Sequence, residues 1–289
     1  MISIILILLF VFSVLSVPVC HGVISGLYLY GMKIFPGLFI SFILTNILVR
    51  ILQQKNINNP WILVITGLMT GFPNGAYICS WYNKNNPENR LGDMLAGIIN
   101  IPSPAFLISY VYINILEKCI SLPVFLALTY IPVILCSYMV ILLFRDKDNK
   151  KNKASHIKND KKLIFHFFEE AVDSSINTAL KLGAYVIIFS VIVNIIMHFS
   201  QGNTAGLLIS YLFEISNGLA IIKNAGIPMN ITVLLTVLLD AFGGVCIIMQ
   251  TKSICSSYIS IKKYIYQKLV LCIVTLAMTY LLIYVLNIL

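Results

Sequence analysis

Charged side chains are scarce in this 289-residue chain, at 11% of the residues, whereas hydrophobic residues make up 59%. Soluble domains carry about 25% charged and 45–50% apolar residues, because their surface faces water. A soluble enzyme is therefore excluded, and the composition indicates an all-α polytopic membrane protein. At roughly 20 residues per membrane-spanning helix, the apolar stretches predict eight to nine hydrophobic segments. They cover 2–19, 34–53, 61–81, 94–116, 122–144, 182–198, 205–222, 230–250 and 267–288.

The motifs of common enzymes are also lacking. There is no GxSxG, Walker A, HExxH or dinucleotide-binding glycine pattern, and the seven cysteines form no CxxC. We therefore expect no enzyme activity, no catalytic residue, no bound metal and no cofactor. The formal net charge of +9 is interpreted as a topology signal of a membrane protein rather than as nucleic-acid binding. The expected partners are the lipid bilayer and a small polar solute or ion, and the oligomeric state is left open.

One long polar stretch divides the chain near its middle. Residues 145–162 read RDKDNKKNKASHIKNDKK. Such a composition predicts a flexible linker, and its lysines place it on the cytoplasmic side of the membrane. The predicted organisation is an N-terminal membrane helix at 1–22, a first gate-like half at 23–144, the basic linker at 145–162 and a second gate-like half at 163–289. A cleaved N-terminal signal is the alternative for the first segment.

Glycine, proline and polar residues interrupt the apolar runs at 71–76, 100–104, 214–218 and 240–244. Irregular backbone is tolerated at membrane depth only where protein shelters it or where it lines a cavity. Transporters build their binding sites from such interrupted or re-entrant helices in two corresponding halves. We therefore expect the four interruptions to converge. A shift of 170 residues aligns Thr66 with Thr236 and Phe72 with Phe242, which suggests a duplication without establishing it.

Ionisable residues inside membrane segments usually mark functional sites. Glu214 and Asp240 are the two candidates, either for binding a cation or proton or, alternatively, for capping broken helix ends. Neutral polar groups both donate and accept hydrogen bonds, so they suit an uncharged polar ligand; their alternative role is hydrogen bonding between helices. The further candidate binding residues are Asn74, Gly75, Asn100, Ser103, Ser216, Asn217 and Gln250.

These motifs resemble the sporulation integral membrane protein YlbJ family, whose members carry nucleoside-recognition gate repeats. This sequence departs from the family pattern at two places. It has Ile248 or Met249 where the family tends to have histidine, and Lys263 where the family usually has proline. The matching residues are 26–30, 34–36, 70–76, Asn100, 103–106, 214–218, 242–244, Gln250, 259–262 and Tyr264.

The resemblance implies a multi-pass protein of the bacterial cell membrane that is needed for the spore cortex or envelope, in the forespore or mother-cell membrane. It also implies transport, by similarity to carriers with gate domains. The function expected from the sequence is thus transport of a small polar solute by alternating access. The alternative is a non-transporting membrane scaffold for spore-envelope assembly.

Overall fold

The computed structural model describes residues 2, 3, 6, 10, 14–55, 59–86, 90–144, 161–255 and 258–282. All regular elements in this part of the chain are helices. Most of the predicted linker, residues 145–160, lies outside the described residues, as do much of segment 1–13 and residues 283–289. The coarse prediction of an all-α membrane protein is confirmed.

Within the described residues, the first half of the chain contains seven helices. Helix α1 continues through π-helical turns at Leu29–Ile34 into α2, and α6 continues through π-helical turns at Leu107–Ile115. The bounds are α1 Ser16–Tyr28, α2 Phe35–Lys55, α3 Pro60–Thr70, α4 Asn74–Asn85, α5 Leu91–Ile99, α6 Pro104–Phe106 and α7 Leu122–Phe144.

The described residues of the second half contain six helices, the first of which is the longest in the described part of the chain. It begins at Lys161, so the last two residues of the predicted linker belong to a helix. The bounds are α8 Lys161–Ser200, α9 Thr204–Phe213, α10 Ile215–Asn224, α11 Met229–Phe242, α12 Gly244–Cys255 and α13 Ile261–Tyr280.

Fewer helices can span a membrane than the eight to nine hydrophobic segments expected. Four stretches in the described part are long and apolar enough, and a fifth is added if Ser16–Ile34 and Leu38–Leu52, which are bent by 59°, count as one span. The four are Leu91–Ile115, Leu122–Phe144, Phe168–Ser200 and Met229–Cys255.

Two apolar runs, 61–81 and 205–222, account for part of the difference because they contain pairs of short helices. Run 2–19 lies largely outside the described residues, and run 267–288 extends beyond them. Helices α9 and α10 have 10 residues each. At 1.5 Å per residue, each reaches only about half of a 30 Å hydrocarbon core. A methyl group on Gly218 would lie 2.5 Å from the carbonyl oxygen of Tyr211, so the chain reverses between them. We call α3–α4 the first hairpin and α9–α10 the second hairpin, because the two helices of each pair pack together.

Two other stretches are full-length helices with a local break. The first broken helix comprises α5 and α6 with its π-helical continuation, and the second comprises α11 and α12. Helix α13 packs against both α5 and α11. Its buried Tyr264 and Leu271 belong to the larger hydrophobic core. The two broken helices therefore share one central neighbour.

Small residues bring α1 and α8 together along much of their length. A methyl group on Gly22 would lie 2.5 Å from the Cα of Val191, and one on Gly26 would lie 2.8 Å from the Cα of Ile187. Glycines spaced by four residues allow helix backbones to approach closely in membranes. Further along, the Tyr30 hydroxyl donates to the carbonyl oxygen of Ala179 at 2.5 Å. The contacts run in opposite directions along the two helices, which are therefore antiparallel.

The same order of elements occurs twice: long helical stretch, hairpin of short helices, broken helix, closing helix. The stretch 16–55 corresponds to 161–200 in this order, and α7 corresponds to α13. The shift of 170 residues does not match it, since it would pair Thr66 of the first hairpin with Thr236 of the second broken helix. The residue matches at that shift are therefore not structural equivalences.

Candidate functional site

Each interruption in the apolar runs has a local cause in the sequence. In the first hairpin, Gly71 has φ 73° and ψ −174°, a conformation that is essentially restricted to glycine. In the second hairpin, Glu214 is extended, with φ −141° and ψ 126°. The first broken helix stops before Pro102 and Pro104, which lack an amide donor. The second stops at Gly243, which is left-handed with φ 84°.

The four interruptions converge, as the sequence predicts. A methyl group on Gly71 would lie 2.4 Å from the amide nitrogen of Ser103, so the first hairpin tip touches the first break. A methyl group on Gly243 would lie 3.1 Å from the ring of Phe72, and one on Gly244 would lie 3.2 Å from the carbonyl oxygen of Leu212. The second break is thus in contact with both hairpins.

A cavity of about 230 Å³ lies where these elements meet. Four of the predicted binding residues line it: Ser103, Glu214, Ser216 and Gln250. The first hairpin, the first break, the second hairpin and α12 each contribute to its wall, and α8 and the π-helical turns after α1 close it. The other lining residues are Tyr30, Lys33, Ile34, Pro36, Leu38, Phe72, Pro102, Ala105, Phe106, Ser109, Leu182, Val186, Ile215 and Ile247.

Glu214 lies at this cavity and also caps a helix. It is 2% exposed, and its Oε2 accepts a hydrogen bond from the amide of Asn217 at 2.8 Å. The side chain of Asn217 donates to the hydroxyl of Ser190 at 3.3 Å. The capping role weighed for Glu214 is therefore present in the structure, together with a position at the cavity.

Asn100 is fully buried and holds other parts of the protein together. Its Oδ1 accepts from the amide of Ala76 at 3.2 Å, and its Nδ2 donates to the hydroxyls of Tyr264 at 2.8 Å and Thr251 at 3.3 Å. Gly75 packs against the backbone of Ile99 and Asn100. Asn100 and Gly75 therefore join the first hairpin to the first break and to α13, outside the cavity wall.

Asp240 and Asn74 are buried away from the cavity. Both carboxylate oxygens of Asp240 lack a hydrogen-bond partner in the described part of the chain, as does Nδ2 of Asn74. The electrostatic neighbours of Asp240 include Tyr130 of α7 and Tyr211 of α9. Asn74 lines a separate space of about 10 Å³. The nine predicted residues thus do not form a single ligand shell.

Sequence reasoning missed two charged residues that the structure buries. Lys268 of α13 is 0% exposed and Asp93 of α5 is 3% exposed. Asp93 accepts from the amide of Ser260 at 2.7 Å and from Nζ of Lys263 at 2.8 Å. Lys268 falls within the apolar run 267–288, and this position was the available sign of its burial.

Among the described residues, no group of three or more histidine, cysteine, aspartate or glutamate side chains is arranged to hold a metal ion. Serine, glutamine and carboxylate groups at the cavity can instead hydrogen-bond a polar solute. Comparisons with protein-family models, with curated proteins and with solved structures gave no match to this chain. The resemblance to the YlbJ family accordingly rests on the sequence motifs alone.

Proposed function

We propose that this protein transports a small polar solute across a bacterial cell membrane by alternating access. The observation that supports this proposal best is the cavity at the meeting point of two hairpins and two broken helices. Alternating access requires a binding site between structural units that can move against each other. The two sets of elements before and after the linker are the candidate gate-like halves.

The cavity wall favours a neutral polar solute, because it holds one carboxylate, Glu214, and one ammonium, Lys33. Glu214 offers a carboxylate, whereas Ser103, Ser216 and Gln250 offer groups that donate and accept. Apolar walls come from Phe72, among others. Drug-sized ligands occupy pockets of about 300–1,000 Å³, and a cavity of about 230 Å³ is smaller. A nucleoside or a sugar is the class of solute that fits the polar groups.

The place of this transport in the cell is proposed to be sporulation, in the formation of the spore cortex or envelope. The support is the resemblance of the motifs at the interruptions to the YlbJ family. A non-transporting membrane scaffold is the second candidate. It is favoured by the internal hydrogen bonds of Asn100 and Asn217, which would serve packing alone.

Two buried serines allow a matched test of transporter against scaffold. Ser216 and Ser137 are both fully buried, but only Ser216 lines the cavity, where its hydroxyl lies beside the Glu214 carboxylate. We expect the double variant Ser216→Ala with Gln250→Met to reduce heat-resistant spores, with protein level unchanged. Two lost hydrogen bonds of about 1 kcal/mol each weaken solute binding by more than about tenfold.

Ser137→Ala is the control and should sporulate as the wild type does. Purified protein is then screened for thermal stabilisation by nucleosides and by sugars, and any stabilising solute is tested for uptake into proteoliposomes. Normal sporulation of the double variant, with no solute stabilising the wild type, would contradict the transporter proposal and support the scaffold.

A further inference from the structure

A buried lysine, Lys268, joins the two broken helices at their breaks. Nζ of Lys268 donates to the carbonyl oxygen of Asn100 at 2.5 Å and to that of Ala241 at 2.9 Å. Asn100 directly follows the end of α5, and Ala241 lies in the last turn of α11. The ammonium therefore lies between the carboxyl-terminal ends of two half-helices, one from each half of the chain.

These helix ends create a favourable environment for a positive charge. The last carbonyl groups of an α-helix have no partner within the helix, and the helix dipole gives this end a partial negative charge. Aromatic faces add to the effect within about 6 Å. The ammonium lies 5.5 Å from the ring centre of Phe72 and 5.8 Å from that of Tyr264.

Lys268 has no carboxylate partner among the ion pairs of the described residues, which join Arg50 to Glu170, Lys223 to Glu117 and Lys263 to Asp93. Cys272 is its electrostatic neighbour on the same helix. Half-helix carboxyl-terminal ends and unwound backbone carbonyl groups are also the groups with which broken membrane helices coordinate Na⁺. Here the cation is covalently attached to the protein.

We propose that the ammonium of Lys268 occupies a monovalent-cation site formed by the carbonyl ends of the two broken helices, so that wild-type protein needs no free cation there. Phe72 connects this site to the cavity, because its ring faces the ammonium and also lines the cavity wall. The proposal has a direct consequence. Shortening the side chain leaves an empty space that is lined by carbonyl oxygens and has a negative potential. A small cation from solution can occupy this space.

The test measures thermal unfolding of purified full-length protein in chloride salts of Na⁺, K⁺, ammonium and choline, at equal ionic strength. Wild type should unfold at the same temperature in all four salts. Lys268→Ala should be destabilised in choline and regain stability saturably with at least one of the three small cations. Choline is too large to enter the space left by the side chain.

Two further variants separate the cation site from other effects. Lys268→Met fills the volume without a charge, so its unfolding temperature should not depend on the salt. Lys262→Ala removes an exposed lysine from the same helix and should behave as the wild type does.

A Lys268→Ala protein that folds but does not respond to the choice of cation would overturn the proposal. So would a cation response of equal size in the wild type, which would place the site elsewhere. If Lys268→Ala is lost in every salt, a diffusible cation does not replace the ammonium, and the proposal is also wrong. Transport is not measured in this experiment, so its result is independent of whether the protein is a transporter.

Discussion

Glu214 combines two roles at the residue level, because the same carboxylate lines the cavity and caps α10. Glutamine keeps an acceptor oxygen for the amide of Asn217 and removes the charge, whereas alanine removes both. We expect Glu214→Gln to unfold close to the wild-type temperature. Glu214→Ala should lose about 1 kcal/mol of stability, the usual cost of a missing helix cap. Thermal unfolding of the two purified variants checks this difference.

Asn203→Ala provides the matched control, since Asn203 caps the other helix of the same hairpin through the amide of Gly206 at 2.8 Å. It should lose stability as Glu214→Ala does, while spore counts follow protein level alone. If Glu214→Gln is well expressed and still reduces heat-resistant spores, the charge itself is needed. Equal stability of the glutamine and alanine variants would show that the cap contributes little.

Asp240 allows a second test of whether a buried carboxyl group is needed for function, because its side chain caps no helix. Its carboxylate oxygens are fully buried and have no hydrogen-bond partner in the part of the chain that the structure describes. An amide has nearly the same size and avoids the cost of ionising a buried carboxyl group, so Asp240→Asn should insert and unfold normally. If this carboxyl carries a cation or proton during transport, heat-resistant spores should nevertheless fall. Normal spore counts with normal protein level would remove Asp240 from the mechanism.

The sequence identified polar residues better than it identified their partners. Ser103, Glu214, Ser216 and Gln250 were recognised because they stand in or near interrupted apolar runs, and they do line one cavity. The roles of Asn100 and Asp240 depend on which helices pack beside them, and this is not encoded in local spacing. A hydropathy profile assigns lysine the same value whether its side chain faces water or, as in Lys268, two carbonyl groups.

At the level of elements, the first hairpin depends on a single glycine. Gly71 combines a glycine-specific backbone conformation with a distance of 2.4 Å between an added methyl group and the amide nitrogen of Ser103. The backbone conformation alone costs another residue about 1–3 kcal/mol, and the contact adds to it. We expect Gly71→Ala to lower the unfolding temperature strongly and to disrupt the cavity.

Gly31→Ala is the control for Gly71→Ala, because an added methyl group at Gly31 meets nothing within 4 Å. Its unfolding temperature should stay near that of the wild type. Comparable stability of the two variants would mean that the hairpin tip can move away from the first break without cost.

Hydropathy located the apolar runs but could not tell a spanning helix from a hairpin. Run 61–81 has the length of a span, yet the chain inside it forms α3 and α4 around Gly71. The motif at 70–76 marks an interruption, whereas the direction of the chain after it is set by packing against Ile99 and Ser103. The same holds for the second hairpin, and the two hairpins account for two of the expected spans that the described residues lack.

At the level of the whole molecule, the repeated order of elements sets the expected topology. A hairpin enters and leaves the membrane on one side. Each half then crosses three times if its long stretch, broken helix and closing helix each cross once, which counts α13 as a crossing in addition to the four or five candidate spans. An odd number of crossings inverts the second half relative to the first. If the predicted linker at 145–162 is cytoplasmic, we expect the turn at 201–203 and the second hairpin to open to the outside and the turn before α13 to be cytoplasmic.

This topology can be tested by labelling single cysteines with a membrane-impermeant thiol reagent on intact cells. Cys20 and Cys119 are the exposed native cysteines of the described residues, and both are replaced by serine in the background. Gly202→Cys should react on intact cells, because this turn is exposed and an added side chain meets no atom within 4 Å. The φ of 73° at this position adds backbone strain, so protein level is measured beside the labelling. Ser155→Cys should react only after the membrane is permeabilised, because the lysines of the linker keep it inside.

The background without an added cysteine serves as the control for labelling of buried thiols. Labelling of both positions from the outside would contradict the inverted arrangement, since α8 would then not cross the membrane between them.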